Sequence, residues 1–152
     1  MRPLRWFSLL CLCATLLVGK QSGSRAEYIG GTRSDIPAAV AGEIRLTDQV
    51  YFVFVSKQVS VKVPYERINL LEYGQNVSRR YLAAVVISPL LMLAKKRQHF
   101  LTIGFQDEDG QQQAMVFKVD KGDIRLALVS LEARTGQQVQ YQDQDARISG
   151  KG

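Results

Sequence analysis

Residues 59–73, VSVKVPYERINLLEY, contain two extended runs separated by a short turn around Pro64. In the first run every second position is apolar, the pattern of a β-strand with one buried face: Val59, Val61, Val63 and Tyr65. The second run, from Ile68 to Tyr73, is rich in large apolar residues and is followed by Gly74. The stretch therefore predicts two consecutive strands with a tight connection.

The same pattern continues upstream. Ile44 and Leu46 alternate with charged or polar neighbours, and Tyr51–Val55 is a run of β-branched and aromatic residues. Short polar segments at 48–49 and 56–58 separate these runs. Successive strands with such short connections predict an antiparallel meander.

Downstream, Leu101, Ile103 and Phe105 resume the alternation. The acidic, glycine-containing loop 106–110 follows, and Ala114–Val119 then supplies a return strand. A loop of this composition between two apolar runs is a hairpin signal.

The period then changes to that of an amphipathic helix, with apolar residues at Ile124, Ala127, Leu128 and Leu131. Asp120 is the predicted N-cap, with Asp123 three residues later, and Gly136 is the predicted residue after the helix. Residues 138–142 predict a short last strand, and the polar residues 143–152 predict a frayed tail.

These elements predict a mainly β (α+β) fold. We expect a partly open antiparallel barrel of about six or seven strands, with the C-terminal helix closing one end. The predicted domain covers residues 42–142, and residues 27–41, which contain glycines, a proline and no sustained periodicity, are predicted to be a linker.

The element order, and above all residues 59–73, resembles bacterial pleckstrin-homology-like and GRAM-like domains over about Gly42 to Tyr141. The segments 72–80 (EYGQNVSRR), 95–105 (KKRQHFLTIGF) and 131–139 (LEARTGQQV) are similar to a group of uncharacterised bacterial secreted or membrane-linked proteins. The resemblance implies a binding or scaffolding module, often for lipid headgroups or peptides. Two features depart from that pattern. The sheet is interrupted by a long apolar segment, and the N-terminal residues carry a signal for export.

Residues 1–26 have the composition of a secretory signal peptide. Two arginines precede a 13-residue apolar run, Trp6–Val18, and Ser24 and Ala26 suit the positions before a cleavage site. The run is shorter than the ~20 residues that a spanning helix needs. We therefore predict an exported protein, periplasmic or extracellular, with cleavage after Ala26.

Removal of this leader changes the charge and the cysteine content. The whole chain has 20 basic and 14 acidic residues, a net charge of +6. The leader holds four of the basic residues, no acidic residue and both cysteines, Cys11 and Cys13, which leaves 16 basic against 14 acidic residues, or +2. This weak charge argues against nucleic acid as a partner. Loss of both thiols excludes a disulfide framework and a cysteine nucleophile.

No catalytic residue, metal site or cofactor is predicted. The one histidine, His99, has no carboxylate or nucleophile that the sequence assigns to it, and general-base catalysis needs both within reach. We therefore predict a protein that is not an enzyme.

Residues 81–94, YLAAVVISPLLMLA, form an apolar insert between the two halves of the sheet, with 12 apolar residues of 14. As one helix the insert would span about 21 Å, against a hydrocarbon core of ~30 Å. Pro89 favours two short arms around a turn. The insert is therefore too short to cross a bilayer.

Cations lie on both sides of the insert. One interpretation is a hairpin that enters an anionic membrane surface and returns on the same side, with basic side chains at the headgroups. The predicted lipid-binding residues are Arg79, Arg80, Lys95, Lys96 and Arg97, and the predicted membrane-inserting residues are Leu90, Leu91, Met92 and Leu93. The alternatives are that the insert packs inside the domain's own core or contacts a partner protein, as in a scaffold or oligomerisation module.

Overall fold

The computed structural model of the protein describes residues 23–76 and 98–151, which form one mixed sheet of eight strands with two helices. The strands are β1 (Ser24–Gly31), β2 (Val40–Arg45), β3 (Tyr51–Ser56), β4 (Ser60–Pro64), β5 (Ile68–Gly74), β6 (His99–Gln106), β7 (Gln112–Val119) and β8 (Val139–Tyr141). The helices are α1 (Ile124–Thr135) and α2 (Gln144–Lys151), and a 3₁₀ turn covers Tyr65–Arg67. The apolar insert 81–94 and its basic flanks lie outside the described residues.

The sheet is open but must be strongly curled. Its strand order is β4-β3-β2-β1-β7-β6-β5-β8, so β4 and β5 are six strand spacings apart. In a flat sheet that separation would be about 29 Å. The chain nevertheless passes from Pro64 to Ile68 in four Cα steps, which reach at most about 15 Å. The sheet therefore bends until the end of β4 approaches the start of β5.

An aromatic cluster fills the concave side. The ring of Phe117 lies 5.0 Å from that of Phe54, 5.7 Å from Tyr28 and 5.8 Å from Phe52, between ring centroids. All four side chains are buried. Tilted and edge-on aromatic pairs at these distances add to the stabilisation from burial alone.

Helix α1 packs one face into this core. Its buried residues are Ile124, Ala127, Leu128 and Leu131, the four that the helical spacing predicted. The helix ends at the predicted place, since Gly136 has φ +70° and donates its amide to the carbonyl of Glu132 at 2.9 Å.

The predicted N-cap, Asp120, is wrong. The helix begins after Asp123, its N-cap residue, because residues 120–123 form a turn in which the amides of Asp123 and Ile124 both donate to the carbonyl of Asp120. Both aspartates also contact Arg25. The Asp123 carboxylate accepts the Arg25 main-chain amide at 2.9 Å, and the Asp120 carboxylate pairs with the Arg25 guanidinium at 2.9 Å.

The predicted linker at 27–41 is also wrong over much of its length. Residues 24–31 form β1, which lies inside the sheet and pairs with β2 on one side and β7 on the other. Ala26 and Tyr28 are buried on its inner face. Only residues 32–39 form a loop between β1 and β2.

The other predicted strands correspond to β2 through β8, and the mainly β fold is confirmed. Tyr65 lies in the 3₁₀ turn rather than in β4. The expectation of a wholly antiparallel sheet is wrong, because β8 pairs with β5 in parallel.

The predicted frayed tail 143–152 is wrong for its helical part. Helix α2 begins after Asp143, whose carboxylate accepts the amide of Ala146 at 2.7 Å, and Ala146 is fully buried. The tail therefore belongs to the folded domain.

Cleavage after Ala26 would remove the first three residues of β1. A chain that starts at Glu27 should have an unfolding free energy lower by about 3 kcal/mol or more than a chain that starts at Gly23, since each lost ladder hydrogen bond contributes ~1 kcal/mol. Urea unfolding of the two chains, followed by circular dichroism, measures this difference.

The control is Arg25→Ala in the chain that starts at Gly23. Its ion pair is exposed, with 77% of the Arg25 and 50% of the Asp120 side chain accessible, so its loss should cost ~1 kcal/mol or less. Coincident unfolding curves for the Gly23 and Glu27 chains would contradict the assigned role of residues 24–26.

Candidate functional site

The candidate site is the root of the apolar insert, by which we mean the end of β5 and the start of β6, at Tyr73–Asn76 and Gln98–Phe100. The predicted lipid-binding and membrane-inserting residues all fall within residues 77–97, outside the described residues. The structure does define the two strands on either side of this segment, β5 and β6. Asn76 follows β5 and Gln98 precedes β6, and these two strands pair directly through Gly74 and Phe100.

A tyrosine and the histidine join the two strands at this root. The Tyr73 hydroxyl lies 2.5 Å from Nδ1 of His99, and the two ring planes are 7° from parallel, with their centroids 5.9 Å apart. Tyr141 of β8 meets the Tyr73 ring edge-on at 6.0 Å. The contact thus ties β5, β6 and β8 together.

The protonation states of this pair follow from burial. Desolvation, with a smaller effect of the Lys121 charge, lowers the pKa of His99 below its usual 6.5. Desolvation also raises the pKa of Tyr73, with Tyr141 and Asp143 acting in the same direction. At neutral pH the tyrosine is therefore the donor, and the Nδ1 atom of a neutral His99 accepts its proton.

Helix α2 seals the same root. The Gln75 side chain donates to the Ser149 hydroxyl at 2.9 Å. Gly150 lies so close to Tyr141 that a Cβ at this position would be 2.6 Å from its ring. The helix therefore approaches the two tyrosines through a residue that has no side chain.

A buried carboxylate supports β5 from its other side. Glu72 is 6% exposed, and its Oε1 accepts a hydrogen bond from the Gln142 side-chain amide at 2.9 Å. The main-chain amide of Gln142 also donates to the carbonyl of Tyr73 at 3.1 Å. The strand that carries the root is thereby held on both edges.

The start of β1 lies at the same end of the sheet as this root. Ala26 and His99 are both paired with Val119, one on each side of β7. We define this end, where Gly23 leads into β1, Asn76 follows β5 and Gln98 leads into β6, as the chain-exit end. Helix α1 also begins there, because Asp120 follows directly after β7 and pairs with Arg25.

A polar groove lies elsewhere, between the end of α1, β8 and α2. It has a volume of about 560 Å³ and is lined by Glu132, Gly136, Gln137, Gln138, Val139, Tyr141 and Arg147. No sequence pattern predicted this groove, because its walls come together only through the parallel pairing of β8.

The chemistry open to His99 is set by its partner. Nδ1 of His99 accepts a hydrogen bond from a tyrosine hydroxyl, and no carboxylate in the described parts of the chain bonds to His99. Across those same residues, no three histidine, cysteine or acidic side chains form a group that could hold a metal ion. The described helices include none long and apolar enough to cross a membrane.

Comparison with known proteins gives no relative: no protein-family model matches the chain, and no curated protein matches it.

Sequence reasoning placed Tyr73 and His99 on separate strands but missed their contact. The contact follows from the strand register. Tyr73 pairs with Leu101, which lies two residues after His99 on β6, so the three side chains share one face of the sheet.

Two apolar residues on the exposed face of α1, Leu126 and Val129, were also missed. These two residues could have been found from the sequence, because an amphipathic helix normally carries polar residues on the face that they occupy.

Tyr73→Phe should lower the unfolding free energy by about 1 kcal/mol, because it leaves Nδ1 of His99 without its donor. Tyr28→Phe is the matched control. Tyr28 is equally buried, its pKa is raised by burial to about 12, and its hydroxyl has no hydrogen-bond partner among the described residues. Its loss should be neutral or stabilising. Equal destabilisation of both variants in urea unfolding would contradict a bond specific to Tyr73.

The same pair predicts acid sensitivity. The folded protein binds a proton at His99 less readily than the unfolded chain does, so the unfolding free energy should fall as the pH drops below about 6.5 and level off below the folded-state pKa. His99→Gln should remove this slope. Unfolding curves at closely spaced pH values test it, and an unchanged slope in the variant would assign the effect to another group.

Proposed function

We propose that the chain is a non-enzymatic binding module of the cell envelope that associates with a membrane surface through residues 81–94. In this proposal Arg79, Arg80, Lys95, Lys96 and Arg97 contact lipid phosphates, and Leu90, Leu91, Met92 and Leu93 enter the acyl boundary. The observation that carries the proposal is the chain-exit end, because both strongly apolar runs of the sequence connect to it.

The length of the connecting chain limits how far the N-terminal apolar run can lie from the chain-exit end. The N-terminal run ends at Val18, and the four residues before Gly23 reach at most about 18 Å. The flanks of the insert join the same end of the sheet through Asn76 and Gln98. Until a signal peptidase releases the chain, a membrane that holds the N-terminal run therefore faces the root of the insert, and the proposed lipid contact of residues 81–94 then keeps the mature chain at that surface.

The root has the rigidity that such a contact requires. The Tyr73–His99 bond, the Gln75–Ser149 bond and the buried Glu72–Gln142 bond fix both strands that carry the insert. A segment presented by a fixed root loses less conformational entropy on binding than one presented by a mobile loop.

We further propose a pleckstrin-homology-like barrel. Strands β1 to β4 and β5 to β7 form two meanders, and β1 pairs with β7. The short connection from β4 to β5 curls the sheet into a partly open barrel, and α1 follows β7 and packs on β1, β5 and the 3₁₀ turn. This arrangement supports the resemblance drawn from residues 59–73, with β8 and α2 as additions.

Export belongs to the same proposal, with one change to the cleavage position. Residues 24–26 belong to β1, so processing by a signal peptidase is proposed N-terminal to Gly23. Such a mature chain keeps Arg25 and has 17 basic against 14 acidic residues, a net charge of +3. Mass spectrometry of the exported protein tests the position.

Co-sedimentation with lipid vesicles tests the function. A chain of residues 23–152 should bind vesicles of phosphatidylcholine with added phosphatidylglycerol, and binding should weaken at high salt. Arg79→Gln/Arg80→Gln should weaken it about 30-fold, at ~1 kcal/mol for each cation. Substitution of Leu90 and Leu91 by Ser should also weaken it.

Arg67→Gln/Lys57→Gln is the control with the same loss of charge. Arg67 precedes β5, about 20 Å along that strand from Gly74, and Lys57 lies in the turn between β3 and β4. This variant should bind almost as the unchanged chain does. Absence of vesicle binding, together with a dimer in lipid-free buffer that is lost when residues 81–94 are deleted, would replace the proposal by a soluble oligomerisation module.

A further inference from the structure

Helix α1 is apolar on two faces. One face is buried in the core, and on the other Leu126 is 67% and Val129 is 63% exposed. These two residues are three positions apart and so form one ridge on the helix surface. The large exposed apolar side chains of the described residues are few: Val50, Tyr51, Leu126, Val129 and Ile148.

Two cations accompany the ridge. Arg125 precedes Val129 by one helical turn and lies beside it, and Lys121 lies in the turn that leads into α1. Both are exposed, and within the described residues neither forms an ion pair. Among the nearest acids, Asp120 pairs with the Arg25 guanidinium, Asp123 binds only the Arg25 main-chain amide, and Glu132 lies one helical turn after Val129. The surface around the ridge is therefore apolar, with Lys121 and Arg125 as its cations that form no ion pair within the described residues.

The ridge begins at the chain-exit end. Asp123 accepts the main-chain amide of Arg25, two residues after Gly23, and Lys121 is close enough to His99 to lower its pKa. The start of α1, with Lys121, therefore lies at the chain-exit end, where the root of the insert also lies.

We propose that Leu126 and Val129, with Lys121 and Arg125, form a second contact with an anionic lipid surface. This inference rests on the proposed membrane association of residues 81–94. Apolar side chains that enter the headgroup boundary with cations beside them are the features by which a helix lies on an anionic membrane.

A second copy of the chain fits this surface less well. A two-fold contact through the ridge with the helices parallel would bring Lys121 and Arg125 of one copy near the same cations of the other, and like charges across an interface are repulsive. Two exposed apolar side chains also bury far less than the ~800 Å² per partner of a stable protein interface. A peripheral lipid contact needs no such area when another segment already holds the protein at the surface.

Site-specific fluorescence on the chain of residues 23–152 tests the inference. This chain contains no cysteine, so Leu126→Cys, Leu91→Cys or Asp109→Cys carries a single environment-sensitive dye, and the protein is added to vesicles of phosphatidylcholine with or without phosphatidylglycerol. Asp109 lies in the β6–β7 turn at the other end of these strands and is the solvent-exposed control. On the anionic vesicles the dye at 126 should shift to the blue and be quenched by spin-labelled lipid. Lys121→Gln/Arg125→Gln should abolish both effects.

The three positions separate the two proposals. A lipid signal at 91 without one at 126 overturns the second contact and leaves the insert as the membrane-binding segment. A signal at 126 without one at 91 supports the second contact and overturns the proposed function of the insert. A signal at 126 that equals that of the Asp109 control, or that persists on neutral vesicles and in the double variant, overturns the anionic contact.

Discussion

The short connection between β4 and β5 constrains the whole domain. Four Cα steps join strands that are six positions apart in the sheet, so the sheet has to curl around its apolar face. The curled sheet is open, because its outer strands β4 and β8 are not paired with each other. Helix α1 packs on β1, β5 and the 3₁₀ turn, with Ile124, Leu128 and Leu131 in the core. The connection itself also contacts this helix, since Tyr65 is buried and the guanidinium of Arg134 lies 5.6 Å from the centroid of its ring.

The position of β1 conflicts with the cleavage site that the predicted export signal would use. Ser24 and Ala26 are small, which suits a cleavage site, and they are also buried beside neighbouring strands, which suits the middle of a sheet. Local sequence cannot separate these two interpretations, because both select small residues. The register decides the structural part, since Ala26 pairs with Gly42 on one side and Val119 on the other.

Local patterns predicted most of the fold, and non-local pairing accounts for most of what they missed. The alternation in β4 and β6 and the helical spacing in α1 need only neighbouring residues, and these elements were predicted. The parallel pairing of β8 with β5 joins Val139 to Leu71, and no periodicity indicates such a partner. Helix α2 was missed for a local reason. Its N-cap residue, Asp143, is visible in the sequence, but it lies in a polar stretch that was predicted to be a frayed tail.

Only part of the candidate site could be predicted from the sequence, for the same reason. The basic flanks and the apolar run could be read directly, whereas the root could not, because Tyr73 and His99 meet only through the β5–β6 register. The geometry of this root bears on affinity as well as on location. Two weak lipid contacts on one rigid end of a domain strengthen each other, because the first holds the second at a high effective concentration near the surface. In the proposed arrangement a short insert and a two-residue ridge therefore suffice, although neither is long enough to anchor the chain by spanning the bilayer.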